Sequence, residues 1–315
     1  DFAEAYYNLG VINQSQHNTE QAIAYYKNAI SLNPNFSEAY NNIGNALKAI
    51  SIKMADKDLQ HIIASLLDKA KYVRPKDVVN AAVSLLKFED TLQKALKLLC
   101  EDASWEHKLD VVSDLSELPL LLKLMHVCPI PDLEFEKLFK DLRRSILLNI
   151  SLIKEASTEL LRFQSALALQ CFTNEYIYNS SEEEEKIVKS LDANVKEDLD
   201  NNDQPSSEVI LALASYKPLG EYDWCELLVI KDEIQEVFSR QVEEPNEEEK
   251  LKHDLPIFGE ITDSISSEVR SQYEESPYPR WVNLGLPLKP TPISKVVDEL
   301  ELKLHDHKIN KVENP

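Results

Sequence analysis

Two stretches decide how this chain is read: Phe2-Ala3-Glu4-Ala5-Tyr6-Tyr7-Asn8-Leu9-Gly10, and Phe36-Ser37-Glu38-Ala39-Tyr40-Asn41-Asn42-Ile43-Gly44. Phe, Glu, Ala, Tyr, Asn and Gly recur at matching places, and the offset is 34 residues. A repeat of that length holds two short helices and a turn, so the pattern predicts stacked αα-hairpins. The intervening residues agree. Gly10 and Ala22 are expected to be small where the helices of one hairpin cross closely, and Tyr6, Leu9 and Tyr26 to fill the groove between them. Ala29 continues the packed face, and Pro34 ends the second helix because it has no backbone N–H to donate.

The second copy repeats Tyr40 and Gly44 but is stretched. Ala70-Lys71-Tyr72-Val73-Arg74-Pro75 aligns with Ala29-Ile30-Ser31-Leu32-Asn33-Pro34 at an offset of 41. The seven additional residues are close to two helical turns, which favours longer helices over a longer connection near residues 52–60.

The spacing of Tyr6, Leu9, Gly10, Ala22, Tyr26, Ala29 and Pro34 resembles the tetratricopeptide repeat (TPR), and the run A-x-x-N-L-G resembles the repeats of O-linked N-acetylglucosamine transferases. In that family the asparagine lies on the concave face and bonds the backbone of an extended peptide. The resemblance therefore implies Asn8 and Asn42 as peptide-binding residues. The cationic clamp of carboxylate-binding repeats is missing, since Tyr7 and Val11 stand in its places.

Composition limits the chemistry. The 315 residues carry 34 basic and 55 acidic side chains, a net charge of −21. That balance argues against nucleic acid or an anionic membrane as the main partner, since both need a basic face. Five glycines stand where average usage would give roughly twenty-two, and no two lie closer than 26 residues. No phosphate-cradling glycine loop and no G-x-S-x-G elbow can be written from them. The four cysteines are scattered, which fits buried thiols of a reducing cytoplasm rather than a disulfide framework. His305-Asp306-His307 is a poor metal site, because side chains at i and i+2 diverge on a helix. No metal site is expected, and no catalytic residue is assigned.

Beyond the repeats, at 1–75, the apolar spacing stays helical. In the 76–180 region, Phe135, Leu138, Phe139, Leu142, Ile146, Leu147, Ile150 and Ile153 step by three and four as one stripe, with Asp132 as its N-cap. An acidic linker is expected at 181–205, although Ser180-Ser181 ahead of four glutamates could instead cap a helix. A helical segment follows at 206–256. From 257 to 315 the chain is proline-rich, with six of the fifteen prolines after Ser276. Pro277 and Pro279 impose extended backbone and present Tyr278 and Trp281 on a stiff ribbon. Short strands are expected near 257–259 and 281–286. The fold class is all-α: a TPR solenoid, an irregular helical region and a partly extended C-terminal segment.

The run Val269-Arg270-Ser271-Gln272-Tyr273-Glu274-Glu275-Ser276-Pro277-Tyr278-Pro279-Arg280-Trp281 resembles the segment ahead of the core in bacterial TPR-containing, S-adenosylmethionine-dependent methyltransferases. Leu169 to Tyr178, and Ser215-Tyr216-Lys217-Pro218-Leu219, also resemble landmarks of that family. The resemblance implies a docking region whose Tyr273, Tyr278, Arg280 and Trp281 form a lip over, or a contact with, a following methyltransferase domain. That domain's glycine-rich donor loop is absent from this chain. The cofactor S-adenosylmethionine is thus implied for a parent protein and not for these residues. The partners implied are a protein or peptide in the TPR groove and the following domain, in a cytoplasmic setting. The competing expectation is a free-standing scaffold with no catalytic role.

Overall fold

The computed structural model describes residues 2–48, 50–69, 73–98, 104–254 and 264–275, which are helices and their connections with no strand among them. The expected strands near 257–259 and 281–286 lie outside the described residues, as do Ala70, Tyr278, Arg280, Trp281 and the histidines at 305 and 307.

The first hairpin is α1 (Phe2–Ser15) and α2 (Thr19–Leu32). Its interior is built on a size match. A methyl group added at Gly10 would stand 2.5 Å from the ring of Tyr26, so the absence of a side chain there is what lets that fully buried ring lie against α1. Ala22 and Ala29 are sealed in the same core. Tyr6 is half-buried, but Leu9 is 41% exposed and does not fill the groove. Helix α2 stops at Leu32, two residues before Pro34.

The second hairpin pairs α3 (Ser37–Ala46) with α4 (Lys57–Lys69). Here the expectation of longer helices fails: α3 is shorter than α1, and the added residues form the connection between α3 and α4. That connection is pinned rather than slack. Lys27 pairs with Asp56, whose other oxygen accepts from the Leu59 N–H at 2.9 Å and starts α4. The Ile52 N–H donates to Ser84 Oγ at 2.8 Å. An anchored loop accepts any number of residues, whereas a helix must add whole turns to keep its buried face in phase. Gly44 again marks a close approach, with an added methyl standing 3.1 Å from Val73. Pro75 does not close a helix; it opens α5 (Pro75–Leu86) at a position whose N–H would have no helical partner.

The helical middle continues with α6 (Asp90–Leu98), α7 (Trp105–Ser116), α8 (Pro119–Val127), α9 (Leu133–Leu148) and α10 (Thr158–Thr173). Asp132 caps α9 as its sequence foretells, accepting from the N–H groups of Glu134 and Phe135, and Ser157 caps α10. One apolar core runs without a break from Ala22 in α2 to Cys171 in α10. α10 is buried on nearly every side from Phe163 to Thr173. Ala168 and Leu169 on its far side start a second core, shared with α12 (Ser207–Ala214) and α13 (Asp232–Phe238). A helix buried on all sides lies between layers, and α10 joins the two cores in that way.

The acidic 181–205 tract corrects the linker expectation. It is α11 (Glu182–Asp200), opened by a capping box in which Ser181 and Glu184 satisfy each other's backbone N–H groups. Glu182 to Glu185 crowd its first turn, where the helix dipole favours negative charge. Val195 and Leu199 dock its far half, and Asp192 accepts from the Trp224 indole at 2.7 Å. The second acidic run is helical too. A π-helical turn at Ser239–Glu243 leads into α14 (Glu244–Asp254), and α15 (Ser264–Glu275) contains Tyr273.

Candidate protein-binding groove and a buried arginine cluster

Residues of α1 and α3 in the 34-residue register, exposed except for the half-buried Asn42, outline the candidate groove. Glu4, Asn8 and Val11 step by four and three along α1, and Glu38, Asn42 and Asn45 match them on α3. The two helices are locked together beneath this face. Tyr7 stacks obliquely on Phe36 with ring centroids 5.0 Å apart, and its hydroxyl accepts from Asn42 Nδ2 at 3.1 Å. Tyr26 donates to Gln14 Oε1 at 2.6 Å, and burial raises its phenol pKa. The two asparagines therefore differ. Asn8 is exposed and offers its whole amide, while Asn42 is half-buried and its amide nitrogen already serves Tyr7. Tyr40 is buried and structural. The groove's charges are Glu4 and Glu38, so it suits the amide groups of an extended chain better than a terminal carboxylate.

The second notable site is buried. Arg143 on α9 is 2% exposed and is surrounded by the residues singled out at 169–178 and 215–219. Its guanidinium donates to the carbonyls of Tyr178 (3.0 Å), Asn179 (3.4 Å) and Ser215 (3.4 Å) and to Ser180 Oγ (3.4 Å). It lies 4.2 Å above the Tyr216 ring and 3.9 Å from Glu184 Oε1. Glu184 is also buried, and accepts from the Ser181 N–H and the hydroxyls of Ser181 and Tyr216. Burial works to raise the Glu184 pKa. The bonds from Ser181 and Tyr216, with Arg143's charge, overcome it and hold the carboxyl below its ordinary value. Burial also pushes the Cys171 thiol up to about 11, so it is an inert packing group.

The chain reaches this cluster through a tight reversal. After α10, Glu175 and Tyr176 both adopt left-handed backbone, φ 58° and 53°. The Tyr176 N–H bonds back to Cys171 O at 2.8 Å and its hydroxyl to Ala214 O at 3.1 Å. These bonds carry a conformation that costs non-glycine residues on the order of 1 kcal/mol each. Arg143 gave no local motif. The available signal is positional: it falls on the stripe Phe139, Arg143, Leu147, Ile150, where every other member is apolar.

A cleft of about 510 Å³ between α8, α10 and α13 holds His126, but its imidazole is 3.1 Å from Glu236, and its carbonyl accepts from Arg240. Among the described residues no cluster of three metal-ligating side chains occurs, and no helix is long and apolar enough to cross a membrane. The described cysteines, Cys128, Cys171 and Cys225, are free and buried.

Comparison with known proteins settles the opening hairpin. The tetratricopeptide repeat family matches residues 3–36. The chain carries a tetratricopeptide repeat. The match covers α1, α2 and the turn into α3, and such repeats bind proteins or peptides. No curated protein and no solved structure matches the chain.

Proposed function

We propose that this chain is a protein-docking scaffold whose TPR groove takes an extended peptide through Asn8 and Asn42. We further propose that it forms the non-catalytic front of an S-adenosylmethionine-dependent methyltransferase. The first part is carried by the repeat at 3–36, with the exposed Asn8 amide in register with Asn42 across a locked pair of helices. The second part rests on the resemblance of residues 169–178, 215–219 and 269–281. It gains support from the first two of these stretches meeting around Arg143, far apart in sequence but part of one buried unit. The proposal includes a bacterial, cytoplasmic setting, consistent with three free buried thiols.

The described residues offer a methyl donor no cradle. Gly10, Gly44 and Gly220 all lie against packed side chains or backbone, and no two glycines in the chain are neighbours. No step of methyl transfer is assigned to this chain, and Tyr273, Tyr278, Arg280 and Trp281 are proposed only as the contact to the following domain.

The test is to read the gene onward from the codon for Pro315 and to measure S-adenosylmethionine binding by calorimetry on the extended polypeptide and on residues 1–315. Binding by the extended chain alone supports the methyltransferase reading. A stop codon leaves a free-standing scaffold. The groove is tested separately, by selecting displayed peptides on residues 1–315; loss of their binding in Asn8→Ala is the expected result.

A further inference from the structure

Ahead of α13 the chain runs Leu227-Leu228-Val229-Ile230, four apolar residues in a row of which two are β-branched strand formers. The backbone is extended at Leu228 (φ −71°, ψ 134°) and again at Lys231 (φ −95°, ψ 159°). Side chains on an extended segment alternate between faces. Leu228 packs on the second core and Ile230 is half-buried, whereas Leu227 and Val229 are 58% and 62% exposed.

One edge of this segment is already paired. Gln204, in the connection from α11 to α12, donates from Nε2 to the Leu227 carbonyl at 3.1 Å, and its Oε1 accepts from the Val229 N–H at 2.9 Å. A carbonyl and the N–H two residues on are the pair that a neighbouring strand takes up, so the Gln204 amide stands in for one peptide unit of such a strand. By the same alternation the opposite edge carries the Leu228 carbonyl and the Ile230 N–H. Among the described residues nothing bonds either group. An extended apolar segment with one free edge is the arrangement to which another extended chain adds.

The flanking charges decide which chain. From 221 to 233 the exposed charged residues are Glu221, Asp223, Glu226, Asp232 and Glu233, against Lys231 alone. A second copy would set this acidic border against itself in a chain already at −21, and like charges across paired strands are destabilising. We propose that the edge formed by Leu228 and Ile230 docks an extended peptide of a partner protein, apolar at alternate positions and flanked by Lys or Arg. The peptide backbone accepts from the Ile230 N–H and donates to the Leu228 carbonyl, while its apolar side chains cover Leu227 and Val229. This edge shares no residue with the groove of α1 and α3, so either reading can fail alone.

The test titrates the capped pentapeptide Lys-Val-Thr-Val-Lys into residues 1–315 and follows amide hydrogen exchange by NMR. Saturation should slow exchange of the Ile230 N–H by about tenfold or more. Val229→Glu should abolish that protection with the melting midpoint nearly unchanged, because the side chain is exposed. Glu-Val-Thr-Val-Glu should fail for its charge, and a fully N-methylated form of the lysine peptide should fail because its backbone cannot pair. No protection by the lysine peptide, or equal protection by either control, overturns the proposal. So does an Ile230 amide already protected in the chain alone, or self-association that Val229→Glu dissolves, since the edge is then filled from within the chain or by a second copy.

Discussion

The tyrosine–asparagine lock between α1 and α3 and the arginine cluster behind α9 are both polar contacts inside an apolar body, but they are made differently. In the first, Tyr7, Tyr26 and Asn42 come from neighbouring hairpins of a repeat, and their meeting follows from a 34-residue period. In the second, Arg143 and Glu184 come from α9 and α11, Ser181 from the cap before α11, and Ser215 and Tyr216 from the turn after α12, and no period relates them. Tyr7 and Asn42, whose bond joins the two hairpins, keep some access to water, so losing it costs little. The arginine cluster is cut off from water, where a single missing partner strands a charge.

The comparison breaks most sharply at Arg143. Arg143→Ala should lower unfolding free energy by about 3–5 kcal/mol, because Glu184 and several carbonyls lose their buried partner. Arg143→Lys should recover only part of it, since an ammonium cannot spread donors over four acceptors while lying on Tyr216. Denaturant titration measures both. A cost for Arg143→Ala no larger than that for Asn42→Ala would abolish the distinction.

The same cluster makes a pH prediction. The Glu184 carboxyl is held below its ordinary value of 4.5 in the folded chain, so its contribution is complete above that value and is lost as pH falls through the acid range below it. The stability gap between the native chain and Glu184→Gln should be constant near neutrality and shrink below pH 4.5. A gap that grows on acidification would show the carboxyl to be held protonated instead.

Smaller effects sharpen the repeat side. Gly10→Ala should destabilise by about 1–3 kcal/mol, since the added methyl drives into a ring with no room to move, in spite of the helix preference for alanine. On the cluster side, Ser181→Ala should cost about 1 kcal/mol by removing the α11 cap and a hydroxyl donor to Glu184. Asn42→Ala should cost about 0.5–1 kcal/mol for its bond to Tyr7, and Asn8→Ala should fall within about 0.5 kcal/mol of the native chain. Calorimetric melting orders all four, and a large cost at Asn8 would mean that it is a packing residue and not part of an open groove.

Legibility followed the range of the interactions. The helix at 133–148 was readable because a cap and a three-four apolar stripe are both local. The helix at 182–200 was legible only as an alternative, because four glutamates look alike whether they solvate a linker or open a helix. The decision came from Glu184 turning inward to Ser181 and Tyr216. The stretched second repeat misled for the opposite reason. Seven residues is a helical number, but Asp56 and Ser84 anchor the connection between the helices, and neither contact follows from spacing.

By itself the sequence determined an all-α chain that opens with a tetratricopeptide hairpin, the size match of Gly10 and Tyr26 within it, and an acidic, glycine-poor composition without a phosphate-binding loop. Those properties depend on period, side-chain size and charge, all carried by neighbours along the chain. Only the tertiary structure decided that α10 joins two cores, that Arg143 is the buried hub, that Leu9 faces outward while Ile43 is sealed, and that Asn42 is tied where Asn8 is open. Each of these depends on which surfaces meet after folding, and a burial or an ion pair between residues dozens of positions apart leaves no periodic trace in the sequence.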